Sequence, residues 1–139
     1  MADSSNVHAA VVGLLIGDAT LNALMPDGIY WDVGRQGSTR FVIVSQVIHQ
    51  EFPMQGTTSY EVFTYLVKAV ELATGSANIH AAAARIKSLL HDTTYSITGY
   101  DLMNSQCVEW VDYVETDPDD PDATWRHRGA RFEIMVSPS

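Results

Sequence analysis

The sequence predicts an α+β fold: a mixed, mostly antiparallel sheet with an N-terminal helix, one long amphipathic helix over about 76–91 packed on it, and a long C-terminal β-hairpin. Three observations carry that prediction. Ile79, Ala82, Ala83, Ile86, Leu89 and Leu90 recur at helical spacing. Residues 59–72 and 106–116 are rich in β-branched and aromatic residues. Ala130, Phe132, Ile134 and Val136 alternate with Arg131, Glu133 and Met135, the period of a half-buried strand.

Taken in order, residues 4–16 place Val7, Val11, Leu14 and Leu15 on one helical face, with Ser4 or Ser5 positioned as the cap. Gly17-Asp18 interrupts that helix, and Asp18 is placed to cap a short second one running through Leu21 and Leu24. Pro26-Asp27-Gly28 then forces a turn into a first strand at Ile29-Tyr30-Trp31, and residues 34–39 read as a polar loop. Phe41-Val42-Ile43-Val44, extended through Val47-Ile48, has the continuous apolar character of a strand covered on both faces, which predicts a central position. Residues 59–72 would suit either period, and their Phe, Tyr and Val content favours a strand. Thr74-Gly75-Ser76 breaks it, with Ser76 or Asn78 as cap for the helix that follows. Residues 95–103, interrupted by Gly99, and 106–116 read as two strands, and 125–136 as the last.

A chain of 139 residues has room for one domain, taken as 1–139, and buries enough surface to need no metal or disulfide staple. Eight Lys and Arg against 17 Asp and Glu give a net charge of −9. That balance opposes affinity for phosphate backbones and for anionic membrane surfaces, both of which depend on basic residues. The one cysteine, Cys107, cannot form an internal disulfide, consistent with synthesis in a reducing compartment. The short apolar stretch 9–16 lacks a preceding basic region and is too short to span a bilayer.

The C-terminal hairpin concentrates charge. Between Glu109 and Asp122 there are seven acids and no base, whereas the returning strand carries Arg126, Arg128 and Arg131. A turn near Asp119-Asp120 would put Asp112 opposite Arg128 and Glu109 opposite Arg131, pairs that fix register. Asp117, Asp119, Asp120 and Asp122 are left over at a Pro-containing tip whose residues are expected not to continue a strand.

Catalytic signals are weak. There is no phosphate-binding loop, dinucleotide glycine pattern, nucleophile elbow or zinc-protease helix. The five histidines are too dispersed for a helical ligand pair, and Cys107 among strand residues reads as a packed thiol. The acidic tip lacks the glycine and terminal Glu of a calcium loop. Trp125-Arg126-His127-Arg128 could stack on nucleic acid, but seven upstream acids favour pairing across the hairpin. Carboxylates adjacent only in space leave a small cytosolic enzyme as a further reading.

The segment order Gly17-Asp18-Ala19-Thr20-Leu21, Met25-Pro26-Asp27-Gly28-Ile29-Tyr30 and Arg40-Phe41-Val42-Ile43-Val44, followed by the helix 79–90 and the closing His127-Arg128-Gly129-Ala130-Arg131-Phe132-Glu133-Ile134, resembles the small phage tail-completion or tail-terminator proteins. The resemblance covers nearly the whole chain. It implies a structural virion protein, not an enzyme and without cofactor or metal. It further implies a homo-oligomeric ring, typically hexameric, made in the host cytoplasm and placed at the head-proximal end of the tail. Such a ring ends tail tube polymerisation and offers a face to the head completion or connector protein, while DNA passes through without specific binding. A head-side neck or connector ring is the nearest alternative. On this reading Asp117, Asp119, Asp120, Asp122, Arg126, Arg128 and Arg35 are candidate interface or lumen residues. The acidic tip would either face the lumen or dock on a basic surface.

Overall fold

The computed structural model of the protein describes residues 3–54, 57–72 and 77–139. Three helices, α1 (Ser5–Ile16), α2 (Ala19–Leu24) and α3 (Ala77–Leu90), lie against one face of a five-stranded sheet. Its strands are β1 (Ile29–Trp31), β2 (Arg40–Met54), β3 (Thr57–Leu72), β4 (Tyr100–Asp117) and β5 (Asp120–Pro138), in spatial order β1-β2-β3-β5-β4. Only β1 pairs in parallel, with β2; the other three pairings are antiparallel. The α+β class, the N-terminal helix, the long amphipathic helix and the C-terminal hairpin all appear as the residue pattern predicts. Thr74-Gly75-Ser76, and with it the Ser76 cap, lies outside the described residues.

The core is the seam between the helices and the inner sheet face. Val42 and Val44 from β2, Phe63, Tyr65, Val67 and Ala69 from β3, and Ala130, Phe132, Ile134 and Val136 from β5 are buried there. Val7, Val11 and Leu15 of α1, Leu21 of α2, and Ile79, Ala82, Ile86 and Leu90 of α3 pack onto them. At about 25 cal/mol per Å² of apolar surface, this seam is the principal stabilising term.

Several expectations are corrected. The central strand is β3, flanked by β2 and β5, while β2 lies one place from the edge. Phe41, Val42 and Val44 are buried, but Val47 and Ile48 are exposed, because β2 runs on to Met54 beyond the helices. The two strands expected over 95–116 are one: β4 begins at Tyr100, just after a turn in which Gly99 adopts φ +81°, and passes without a break to Asp117. The acidic tip is also smaller than expected. Strand pairing reaches Asp117 opposite Asp120, leaving only Pro118-Asp119 as the turn, and a register shift after Thr116 absorbs the irregularity that Pro121 would otherwise impose. The α1 cap differs too. Ser4 makes no side-chain capping bond, and Asp3 Oδ1 accepts from Ser5 N at 3.0 Å instead.

Length mismatch shapes the molecule. A helix of 14 residues is about 21 Å long, whereas strands of 18 and 19 residues reach about 60 Å. The helical layer therefore covers only the middle of the sheet. The β4–β5 hairpin projects past Leu72 at one end, and the β2–β3 arm projects at the other.

Two contacts pin this arrangement. Gly129 sits where a Cβ would fall 2.1 Å from the Val67 carbonyl oxygen and 2.4 Å from Lys68 Cα, so β3 and β5 approach closely only because that position has no side chain. Asp18 caps α2 by accepting from Leu21 N at 2.9 Å and binds Arg85 of α3 through Nε at 2.9 Å and Nη2 at 2.6 Å. The Arg85 guanidinium holds the Asp18 carboxyl below the usual carboxylate range.

Gly129→Ala is expected to destabilise by about 2–3 kcal/mol in chemical denaturation, since β-ladder backbone would have to move. Asp18→Asn keeps a capping oxygen but loses the ion pair. Because the folded carboxyl releases its proton more readily than the unfolded one, the pair stabilises at neutral pH and its contribution disappears as pH falls below about 4. The variant's deficit in urea midpoint should accordingly be present at pH 7 and close towards pH 3.

Candidate assembly surfaces

The tip residues lie together at the end of the β4–β5 hairpin, with Asp119, Asp120 and Asp122 exposed and Asp117 half-buried. Two of the four carboxylates serve their own backbone: Asp117 Oδ1 accepts from Asp119 N at 2.9 Å, and Asp120 Oδ1 accepts from Asp122 N at 3.1 Å. These local turns hold the acids in place without a cationic partner.

Below the tip the expected cross-strand pairs are present. Asp112 stands opposite Arg128 and Glu109 opposite Arg131, with N···O distances of 3.2 and 2.9 Å. Arg126, half-buried, lies between Val114 of β4 and Glu71 of β3 in the register. Arg128 does more than pair: its guanidinium lies 4.8 Å from the centre of the Trp110 ring, and Lys87 Nζ of α3 approaches the same ring at 5.5 Å. On the opposite face His127 stacks on Tyr113 at 4.3 Å and reaches Glu115 at 2.5 Å. Burial, reinforced by nearby Lys68, pushes the His127 pKa down.

Arg35 is far from this group. It occupies the exposed loop between β1 and β2, at the other edge of the sheet. Asp27 fastens that loop, its Oδ2 accepting from Thr39 N and Arg40 N at 2.9 Å each. Both backbone donors, Thr39 first, keep the Asp27 carboxyl below its ordinary value. Arg35 makes no ion pair among the described residues. The register places the end of the loop level with the root of the acidic hairpin, Arg40 pairing with Glu71, Glu71 with Arg126, and Arg126 with Val114, while residues 117–122 lie beyond that row. The candidate residues thus form two sets at one end of the sheet, the tip with Arg126 and Arg128 on one side and Arg35 on the other.

The edges themselves were less visible in the sequence. Among the described residues no strand pairs with the outer side of β4, where His91 and Asp92 bond only Cys107 N and Ser105 O, and β4 exposes Met103, Val108, Trp110, Tyr113 and Val114. On the other side β1 covers only Val42–Val44 of β2, so the remainder of β2 is a second open edge, exposing Val47, Ile48 and Phe52. The bulges at these edges insert Val47, Met103 and Val108, all apolar and all exposed. Native proteins guard free edges with charge, bulges or cover; here the bulge residues are themselves hydrophobic.

Little of this geometry suits catalysis. Cys107 donates its backbone N–H to His91 Nδ1 at 3.0 Å, and partial burial pushes its thiol pKa up, away from the nucleophilic thiolate. His49, Glu51 and Glu61 bring their ligand atoms within 4.8 Å of one another, a grouping missed in the sequence because the Val47 bulge sets which residues meet across β2 and β3. These three could offer donors to a divalent cation. His49 Nε2 is already engaged by Glu61 Oε1 at 2.7 Å, the geometry of a cross-strand pair.

A one-sided α+β sheet with two unlike open edges, projecting hairpins and surface charge sorted to one end defines a structural assembly subunit. The profile of the family described as "Tail completion protein gp17" matches residues 9–137, and the chain belongs to that family of structural phage tail proteins. A solved structure described as "Virion of native gene transfer agent (GTA) particle" contains a chain of the same fold, with 20% identity, 96% of each chain covered and a TM-score of 0.74. A second solved structure shares the fold at 13% identity and TM-score 0.63, covering 100% of this chain and 99% of its own. No curated protein matches the sequence.

The carboxylates of the Asp112–Arg128 and Glu109–Arg131 pairs are exposed, so each pair should couple by only about 0.2–1 kcal/mol in a double-mutant cycle. The coupling should shrink further between 0.05 and 0.5 M salt, where the Debye length drops to a few ångströms.

Proposed function

We propose that this tail protein forms a closed homo-oligomeric ring, hexameric in the simplest case, at the head-proximal end of a phage tail. There it ends polymerisation of the tail tube and presents the face on which the head completion or connector protein docks. The observation that carries this reading is the pair of unlike open edges on opposite sides of one sheet, in a chain of the tail completion family. A rotational ring needs a heterologous contact, in which each subunit offers two different complementary patches, and a subunit with one such patch could form only a two-fold dimer.

Charge supports the same reading. The tip carboxylates Asp117, Asp119, Asp120 and Asp122 and the Arg35 loop lie towards the same end of the sheet on opposite edges, the tip projecting further, so head-to-tail neighbours would turn acid towards base. Tip carboxylates left facing the channel would repel the DNA backbone and let it slide, since acids release no counterions from it. Arg126 and Arg128 would stiffen the root of the hairpin beneath the tip.

The test is fractionation of particles from a lysate in which the protein is tagged. It should co-sediment with headless tails as well as with complete virions, and its omission should give tails of uncontrolled length. Recovery on tailless heads alone would make it a head-side connector ring instead. Asp→Asn substitution at all four tip positions should cut complementation titre by at least about tenfold while leaving the fold intact by circular dichroism.

A further inference from the structure

We infer that Trp110 of one subunit seats in the apolar recess beside Trp31 on the next copy, forming the anchor of the ring contact. This rests on the ring reading above and specifies its interface. The recess, about 330 Å³, opens between α1 and β1 and is lined by Ser5, His8, Ala9, Val12 and Trp31. Its aromatic wall is held in place: the His8 and Trp31 ring centres are 3.5 Å apart, and behind them the buried Tyr65 ring lies 6.1 Å from Trp31, with its hydroxyl 3.2 Å from His8 Nδ1. Burial pushes the His8 pKa down, so the wall stays uncharged at neutral pH.

The ladder register matches the two tryptophans. Trp31 pairs with Val44, Val44 with Val67, Val67 with Ala130, and Ala130 with Trp110. The two therefore stand in one row across the sheet at opposite edges. Both are on the helical face, Trp31 against α1 and Trp110 beneath Lys87 of α3. They are also comparably exposed, at 37% and 42%. A neighbour related by rotation about a ring axis brings its β4 edge to the β1 edge at the same level, which places indole against recess. The Arg35 loop and the acid-bearing hairpin lie towards one end of the sheet on those same two edges, so the same docking turns opposite charge towards each other. The occupant is therefore a second copy of this chain. Held between Lys87 and Arg128, the Trp110 ring has little rotamer freedom left to lose on docking, as suits an interface anchor.

The experiment uses the full chain in a Cys107→Ser background, with and without tail tube protein, and a short bis-maleimide. Combining Ala9→Cys with Asp112→Cys, on the recess rim and two residues from Trp110, should give a ladder of covalent multimers ending at the ring. Each single variant should stay uncross-linked, and mixing the two singles should give hetero-dimers. Separately, Trp110→Ala should weaken self-association at least about 30-fold by sedimentation, the loss expected of a buried tryptophan anchor, with an unchanged circular dichroism spectrum. Cross-linking of a single variant with itself would overturn the proposal in favour of a two-fold contact. A wild-type ring that Trp110→Ala leaves intact would overturn the anchor while the ring stands. Wild-type protein that stays monomeric under both conditions would overturn the ring reading and this contact together.

Discussion

A mismatch in length governs this molecule. Fourteen residues of helix span about a third of the distance that eighteen residues of strand cover, so no arrangement of α1, α2 and α3 can shield the whole sheet. The middle of the sheet, chiefly β3 and β5 with Val42 and Val44 of β2, receives most of the helical cover and becomes the core. What projects must either be stabilised by its own cross-strand pairs or meet another molecule. Both solutions occur: ion pairs and stacked rings line the β4–β5 hairpin, while β4 has no strand on its outer side among the described residues and exposes Val108, Trp110 and Val114.

From that mismatch the assembly character follows. An open five-stranded sheet has two edges, and here they differ in length, direction and chemistry. β4 offers a long antiparallel edge with an indole held by two cations, and the β1 side offers a parallel stub beside an aromatic recess. Two unlike edges give one subunit two different patches, the requirement of a head-to-tail contact. The chain belongs to the tail completion family, and a subunit with two different edges suits assembly with other copies or other tail proteins.

Much of the architecture could be read from the residues because its signals were local. The 79–90 periodicity, Asp18 as a cap, and the alternation of Ala130, Phe132, Ile134 and Val136 each report on burial against a nearby neighbour. The hairpin register was legible for the same reason, since opposite charges at matched distances from a turn admit few alignments. Failures arose where the outcome depends on distant parts of the chain. The run from Phe41 to Ile48 looks uniformly buried, but whether Val47 has a cover depends on where α3 ends. Asp3 displaced Ser4 as the α1 cap because the Ser4 backbone is already helical. The candidate acids and arginines were found by charge pattern, whereas Trp110 and Trp31 were not singled out. Their relation exists only through four successive strand pairings, and no window of sequence contains it.

The aspartates at the hairpin tip have a consequence of their own. Since Asp117 and Asp120 already satisfy neighbouring amides, the loop has its final shape while the subunit is still free in solution. A partner meets a preformed prong and need not freeze a wandering chain, so the entropy normally spent in ordering a surface loop is absent from the encounter. Joining can then proceed as a rigid-body collision whose speed is set by diffusion and long-range attraction.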